Sequence, residues 1–342
     1  MNITEKQKEK KARDLNRIYC DNWLNNNLPD KFANLIIADP PYFEVKGEFD
    51  FIWESFDDYL VDVEKWVLEC KRVLKDNGTL FWWGDAKKIA YSQIIIDKHF
   101  NLLNNIVWEK NECQTLRNEI AALRSFAPVT ERLLMYDKGE DKSGNDRIFD
   151  DPELFLPIKK YFDDWLEKSG LTLKDAVEKI GSSCIHWFGF TLRHKTQFAF
   201  PTIEKWNKMQ EVFPDSQSYE KLRQSYEELR QSYEELRQSY EELRRPFNLT
   251  KMQSDVFHFS QESHITKQYE HDTKKPEKLT RFIIQTTTKK GDVVVVPFSG
   301  SGTECAMSAE EGRLFIGFDL EQKHVNTGNK RCVKILNQPK LF

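Results

Sequence analysis

Residues 293–319 read VVVVPFSGSGTECAMSAEEGRLFIGFD. The four valines predict a short buried strand, a helix follows the glycine-rich turn, and Leu314–Phe318 predicts a second strand. Gly300 and Gly302 allow the backbone to approach a ligand closely. Asp319 ends the second strand and is placed to accept hydrogen bonds from two ribose hydroxyls. The stretch favours a nucleoside derivative as ligand, although a tight turn without a ligand could contain the same glycines.

A second informative stretch, Asp39-Pro40-Pro41-Tyr42, ends another predicted strand at residues 33–37. The exocyclic amine of adenine or cytosine is a poor nucleophile because its lone pair is delocalised into the ring. The Asp39 carboxylate and the Pro40 carbonyl could accept its hydrogens, and Tyr42 offers an aromatic face to a base swung out of a duplex. Alone, the tetrapeptide could be an ordinary strand-ending turn. Its occurrence with the glycine-rich turn favours catalysis.

Apolar periodicity predicts further helices and strands in alternation. Helices are expected at residues 57–74 and 87–98, and strands at residues 79–83, 102–108 and 132–136. Alternation of this kind is typical of an α/β fold with a mainly parallel sheet flanked by helices.

The composition is that of a globular enzyme. The chain has 342 residues, 39% of them hydrophobic, and the charged first segment contains no apolar run typical of a signal peptide. Six cysteines lie far apart without metal-ligand spacing, so no metal site is expected, and reduced cysteines are typical of the cytoplasm. The net charge of −4 does not exclude nucleic acid, since phosphate contacts need only a local basic groove.

Residues 138–268 differ from the rest and are interpreted as a mainly helical insertion. A helix start at Thr172 and a turn at Gly181 resemble a helix-turn-helix, with two ordinary packed helices as the alternative. The unit Gln-Ser-Tyr-Glu-Glu-Leu-Arg then recurs over residues 217–244. Its Tyr and Leu residues alternate at steps of three and four, which fits either a solvent-exposed helix or pairing with a second copy of the chain.

Seven segments together resemble a known family. They are YCDNWL, ADPPYF, LKDNGTLFWWG, APVTERLLMY, HDTKKPEKL, PFSGSGT and FIGFDLE. The chain is similar to the beta-group amino-methyltransferases of bacterial and phage restriction-modification and regulatory systems. In that group the DPPY half precedes the target-recognition region, and the cofactor half comes last.

The resemblance implies a Rossmann-like methyltransferase sheet with a circularly permuted motif order. Residues 1–137 would form the catalytic half, residues 138–268 the target-recognition region and residues 269–342 the cofactor half. It implies transfer of a methyl group from S-adenosylmethionine to the N6 amine of adenine in a short duplex DNA motif, with base flipping. The residues implied as catalytic are Asp39, Pro40, Pro41 and Tyr42, and those implied for the cofactor are Asp21, Lys275, Phe298, Gly300, Ser301, Gly302, Thr303 and Asp319.

Two positions depart from the family pattern. Val296 stands where Asp is usual, and Glu304 stands where a second Thr is usual. An acid near the amino group of the cofactor is therefore expected to be missing. Asp39 resembles the adenine-modifying members, and the N4 amine of cytosine is the alternative target.

Target recognition is assigned to the insertion, with Arg193, Lys195 and Gln197 as expected contacts to phosphates or base edges. Each could equally be an ordinary loop residue. Double-stranded DNA is the expected partner, and no membrane segment is expected. A homodimer and a cognate restriction endonuclease are further partners that the residues permit without specifying. RNA methylation and a catalytically silent DNA-binding or coiled-coil protein are the competing hypotheses.

Overall fold

The computed structural model describes residues 13–45, 50–110, 126, 129–139, 162–182, 188, 202–212, 231, 235, 245–260 and 275–338. The chain divides into two compact units. One combines Met1–Gly144 with Arg245–Phe342, and the other is Asn145–Arg244.

The first unit contains an eight-stranded sheet in the order β1-β8-β7-β2-β3-β5-β4-β6. All neighbouring strands are parallel except that β5 runs antiparallel to both β3 and β4. The predicted α/β fold with a mainly parallel sheet is confirmed. The strands are β1 (Arg17–Cys20), β2 (Ala33–Ala38), β3 (Leu74–Gly84), β4 (Asn101–Glu109), β5 (Thr130–Asp137), β6 (Val256–His258), β7 (Val293–Val296) and β8 (Leu314–Asp319).

Helices cover both faces of this sheet. Side chains of β2 alternate between two apolar clusters. Ile36 belongs to the cluster that contains Val63 and Ile96, and Leu35 belongs to the cluster that contains Ile283 and Met307. Burial on both faces explains why the central strands are continuous apolar runs. The helices are α1 (Phe56–Val73), α2 (Ile89–Ile96), α3 (Leu173–Ile180), α4 (Ile203–Val212), α5 (Glu277–Thr287), α6 (Thr303–Glu310) and α7 (Gln322–Leu336).

The direction of the chain across the sheet reverses between β2 and β7. These strands pair in parallel, with Ile36 opposite Val295, and the Asn34 side chain accepts a hydrogen bond of 3.1 Å from the Val293 amide across 259 residues. From β2 the chain continues to β3 on one side, and from β7 it continues to β8 on the other. In open α/β sheets, ligands bind beyond the carboxyl ends of strands at such a switch point.

The second unit has an aromatic core of its own. Phe162 and Trp206 are fully buried, and Phe188 stacks on Trp165 with ring centroids 5.5 Å apart. The predicted helix start is confirmed, because Thr172 caps α3 in a reciprocal capping box with Asp175. This core gives the inserted unit a source of stability within its own residues.

The predicted end of the insertion at residue 268 needs correction. Residues 245–260 belong to the first unit, because β6 pairs with β4 and extends the sheet. The second helix of the predicted helix-turn-helix lies outside the described residues. So does the heptad segment, apart from Gln231 and Glu235, which are helical and exposed. In the described part of the chain, no helix has the length and apolarity needed to cross a membrane.

Candidate active site

Asp39 and Tyr42 lie in the loop that follows β2, and they contact each other. The Tyr42 hydroxyl donates a hydrogen bond of 2.7 Å to Asp39 Oδ1. The Tyr42 backbone N–H donates a second one, of 2.6 Å, to Asp50 Oδ1. These bonds hold the loop Asp39–Tyr42, including Pro40 and Pro41, in one conformation at the carboxyl edge of the sheet.

Lys275 binds this loop directly. Its ammonium lies 3.1 Å from Asp39 Oδ2 and 2.9 Å from Glu131 Oε2, and it donates a bond of 3.2 Å to the Tyr42 hydroxyl. It also lies 4.7 Å from the centre of the Trp83 ring, a cation–π distance. The residue is 5% exposed. The resemblance implied Lys275 for the cofactor, whereas its contacts here are with the Asp39–Tyr42 loop and Glu131.

Electrostatic pairing offsets the burial of this cluster. Burial alone would lower the pKa of Lys275, but the carboxylates of Asp39 and Glu131 raise it above its usual value. Burial alone would raise the pKa of Glu131, but Lys275 and Lys110 lower it to about 2. Burial, together with the nearby Asp39 and Glu131, raises the pKa of the Tyr42 hydroxyl well above its usual value. At neutral pH, Lys275 is therefore charged and Tyr42 is a neutral donor.

Sequence reasoning assigned no role to Glu131 or Lys110. Glu131 lies at the start of β5, and Lys110, which follows β4, forms an ion pair with it. The segment APVTERLLMY was part of the resemblance, but nothing in it shows that its acid pairs with a lysine 144 residues later. The pairing arises because the start of β5 lies close to Lys275, two residues before α5.

The glycine-rich loop, Phe298–Thr303, follows β7 and lies beside the Asp39–Tyr42 loop, because β7 pairs with β2. Asp319 holds this loop by hydrogen bonds: its Oδ2 accepts one of 2.8 Å from the Gly300 N–H, and its Oδ1 accepts one of 2.9 Å from the Glu321 N–H. Phe298 packs edge-on against Trp66, with ring centroids 5.0 Å apart. The Ser299 hydroxyl is buried and has no hydrogen-bond partner among the described residues. A buried polar atom without a partner suits a loop that completes its hydrogen bonds with a ligand.

The start of α6 is fixed by buried polar contacts. Thr303 Oγ1 accepts a hydrogen bond of 3.1 Å from Arg331, and Ser301 Oγ lies 3.5 Å from Thr303 Oγ1. Ser301 and Thr303 are both buried. The loop from Phe298 to Thr303 is thus rigid at its carboxyl end, where it becomes a helix.

Gly302 has a packing role that the sequence did not indicate. Its φ is +74°, and a Cβ atom there would lie 2.8 Å from Gly328 Cα and 2.9 Å from Ile18 Cδ1. The absence of a side chain therefore lets α6 approach α7 and β1 closely. The freedom to approach a ligand is not the only reason for glycine at this position.

Gly302→Ala is expected to lower the free energy of unfolding by about 2–5 kcal/mol, as the sum of left-handed strain and overpacking. Gly291→Ala is the matched control, because Gly291 also has a positive φ, of +86°, but nothing within 4 Å of the added Cβ. It should cost only the strain, about 1–2 kcal/mol. Urea unfolding of both variants measures the difference, and equal losses would contradict the packing role.

Asp21 lies next to Asp319 at the same edge of the sheet. Cys20 of β1 pairs with Asp319 of β8, and the Asp21 backbone N–H donates a hydrogen bond of 3.0 Å to the Asp319 carbonyl. The Asp21 side chain forms an ion pair with Arg13, whose guanidinium stacks 4.6 Å from the centre of the Tyr19 ring. The structure thus brings the predicted site residues together at the carboxyl ends of β1, β8, β7 and β2. Arg193, Lys195 and Gln197 lie outside the described residues.

These features fit a nucleoside-containing cofactor beside a loop that handles an amine. An acid ends one strand, a glycine-rich loop with an unpaired hydroxyl follows the next, and an aromatic side chain lines that loop. This combination of sheet and site defines an S-adenosylmethionine-dependent DNA methyltransferase. The chain belongs to the DNA methylase family (N6_N4_Mtase), whose family model matches residues 33–330.

Individual relatives agree with this assignment. The chain is 26% identical to the type II methyltransferase M2.DpnII of Streptococcus pneumoniae, over 90% of this chain and 85% of that protein. It is 23% identical to the DNA adenine methyltransferase YhdJ of Escherichia coli K12, over 89% of this chain and 77% of that protein. The M1.HpyAVI structure in complex with SAM has a similar fold, with a TM-score of 0.50, 16% identity and coverage of 94% of this chain and 99% of that chain.

Proposed function

We propose that this chain methylates the N6 amine of adenine at a short motif in duplex DNA, after flipping the base out of the helix. One observation carries the proposal: Asp39, held by Tyr42 and Lys275, lies at the switch point beside the glycine-rich loop. S-Adenosylmethionine supplies an electrophilic methyl group when bound. Phe298, Gly300, Ser301, Gly302, Thr303 and Asp319 would hold it, with Asp21 near its adenine.

The catalytic loop would act by accepting hydrogens from the amine. One oxygen of Asp39 is bound by the Tyr42 hydroxyl and the other by Lys275, so the carboxylate has a fixed orientation. Each oxygen keeps lone pairs that can accept a further hydrogen bond. The Pro40 carbonyl is a second acceptor in the same loop. An amine bound to both would have its lone pair freed from the ring, which favours direct transfer without a covalent enzyme intermediate.

The choice of adenine is supported by Asp39 as the first residue of the loop and by the similarity to YhdJ, which is named as a DNA adenine methyltransferase. The N4 amine of cytosine has the same hydrogen-bonding groups. Base identity is therefore an outcome of the experiment below.

Target recognition is proposed for the inserted unit, Asn145–Arg244. It is compact by itself and interrupts the sheet unit between β5 and β6. Arg193, Lys195 and Gln197 are proposed as its DNA contacts. A homodimer through the heptad segment and a cognate endonuclease are proposed partners, and the cytoplasm is the proposed location because genomic DNA and S-adenosylmethionine occur there.

The test is base-resolution mapping of plasmid DNA from cells that express the chain, by single-molecule sequencing, beside the Asp39→Ala variant. Methyladenine at one motif, absent with the variant, is the expected result. Methylcytosine at one motif would support the proposed methyl transfer but show that cytosine, not adenine, is the target base. Unmodified plasmid, with wild-type protein present and folded, would overturn the proposal.

Substitution of Tyr42 should separate stacking from hydrogen bonding. Tyr42→Ala is expected to weaken capture of the flipped base by about 1–3 kcal/mol, the usual contribution of a stacked base. Tyr42→Phe keeps the ring and loses the hydrogen bond to Asp39, so a smaller loss of about 0.5–1.5 kcal/mol is expected. Single-turnover rates against DNA concentration measure both. Equal losses in the two variants would show that the ring itself does not stack.

A further inference from the structure

Four acids lie at the carboxyl ends of β1, β2 and β8 and at the start of α6, and three of them are engaged within the chain. Asp21 forms an ion pair with Arg13, and Asp39 contacts Tyr42 and Lys275. Asp319 accepts hydrogen bonds from the backbone amides of Gly300 and Glu321. The fourth is Glu304, which is 7% exposed. Its carboxylate accepts a hydrogen bond from its own backbone N–H, and among the described residues no other residue forms a hydrogen bond or ion pair with it.

Glu304 is placed where the two halves of the site meet. It lies in the first turn of α6, directly after the glycine-rich loop, in which no side chain from Pro297 to Thr303 is charged. Its carboxyl is close enough to Asp39, Lys275 and Arg331 to be influenced by their charges. Arg331 is itself committed to Thr303 and to Glu277.

A buried carboxylate without a partner costs several kcal/mol unless a cation reaches it. The cofactor offers such a cation, the ammonium of its methionine portion. We propose that Glu304 receives this ammonium when S-adenosylmethionine binds. The inference rests on the proposed placement of the cofactor in the loop Phe298–Thr303. It assigns to α6 the acid that Val296, an apolar residue at the end of β7, does not provide.

Calorimetric binding of two ligands to Glu304→Gln tests the assignment. S-Adenosylhomocysteine carries the ammonium, and 5′-methylthioadenosine lacks the whole amino-acid portion. The variant should bind the first about 10- to 100-fold more weakly, the range for a hydrogen bond between charged groups, and the second within about 2-fold of wild type. Glu310→Gln is the matched control on the same helix, since Glu310 is solvent-exposed and pairs with Arg281; it should change neither affinity.

The outcomes separate this inference from the proposed cofactor site. If the wild-type protein binds both ligands, the proposed cofactor site is supported whatever the role of Glu304. If the wild-type protein binds neither ligand, the proposed cofactor site is overturned. With wild-type binding established, equal weakening of both ligands in Glu304→Gln would show that the residue only supports the loop. Unchanged binding of both would show that the ammonium lies elsewhere. Either result overturns the role of Glu304.

Thermal melting of the free protein gives a second test. Removal of an unpaired buried charge relieves its desolvation, so free Glu304→Gln should melt at or above the wild-type temperature. The stabilisation by S-adenosylhomocysteine should nevertheless be smaller in the variant. A lower melting temperature of the free variant would indicate a structural role instead.

The pH dependence of binding should also depend on Glu304. Burial, followed by the Asp39 charge, raises the pKa of Glu304 to about 7, while Lys275 and Arg331 oppose the shift. Only the ionised carboxylate pairs with an ammonium, so affinity for S-adenosylhomocysteine should rise with pH through about 7 and flatten above it. Glu277 pairs with Arg331, and burial raises the pKa of Cys305 and Cys332, leaving both neutral in this range. Glu304→Gln should lack this rise, and an equal rise in the variant would assign it to another group.

Discussion

Asp39→Ala is expected to reduce methyl transfer to DNA by at least about 10²–10³-fold, the usual effect of removing one preorganised group that stabilises developing charge. The variant should still bind S-adenosylhomocysteine, because the loop from Phe298 to Thr303 makes its contacts with Asp319 and Arg331. Lys275 keeps Glu131 as a partner, so the cluster should stay folded. Single-turnover transfer and calorimetry on the same preparation measure both properties.

A matched control for this variant is Asp57→Ala, on the exposed first turn of α1. It should transfer methyl groups at the wild-type rate. If Asp39→Ala still transfers methyl groups, Asp39 has no role in the reaction. If the variant loses both methyl transfer and binding of S-adenosylhomocysteine, the substitution has disrupted the loop instead.

Lys275→Met is expected to have the largest effect on stability. The substitution keeps an unbranched, flexible side chain but removes the ammonium group, so Asp39 and Glu131 lose the cation between them. Breaking a buried ion pair by removing one partner typically costs about 3–5 kcal/mol of unfolding free energy. Urea unfolding measures the loss, and Lys278→Met, on the exposed face of α5, should change stability by less than about 0.5 kcal/mol.

A double-mutant cycle identifies the source of this loss. In Lys275→Met combined with Glu131→Gln, one of the two carboxylates that Lys275 contacts is also neutralised, so the loss should be smaller than the sum of the single losses. Additive losses would mean that Lys275 and Glu131 do not interact, contrary to the 2.9 Å contact.

The sequence predicted the central strands well because they are buried on both faces. The valine run became β7 with its predicted ends, and the strand at residues 33–37 extends by one residue. Two short elements escaped prediction: β1 and β6 have four and three residues and include Arg17 and His258, so they lack the uniform apolar run that revealed β7. The strand predicted from Thr79 begins at Leu74, which pairs with Ala33 across a register shift that no apolar pattern indicates.

In the candidate site, the sequence indicated which loops carry chemistry but not which side chains meet. Gly302 was predicted for ligand approach, and its contact with Gly328 depends on how α6 and α7 pack. Lys275 was associated with the cofactor, and its pairing with Asp39 and Glu131 joins three distant parts of the chain. Pairings of this kind depend on the order of the strands in the sheet, which a local sequence pattern does not predict.

The pairing of β2 with β7 also has a consequence during translation. A ribosome completes β2 long before it makes β7, and 259 residues separate Asn34 from the Val293 amide that it binds. At about 5–20 residues per second, this interval lasts roughly 13–52 s. Throughout this interval, the edge of β2 that pairs with β7 has no neighbour, and the Asp39–Tyr42 loop exists without the glycine-rich loop. A nascent or prematurely terminated chain would therefore be inert toward DNA, and activity would begin only when the last part of the sheet has emerged and docked.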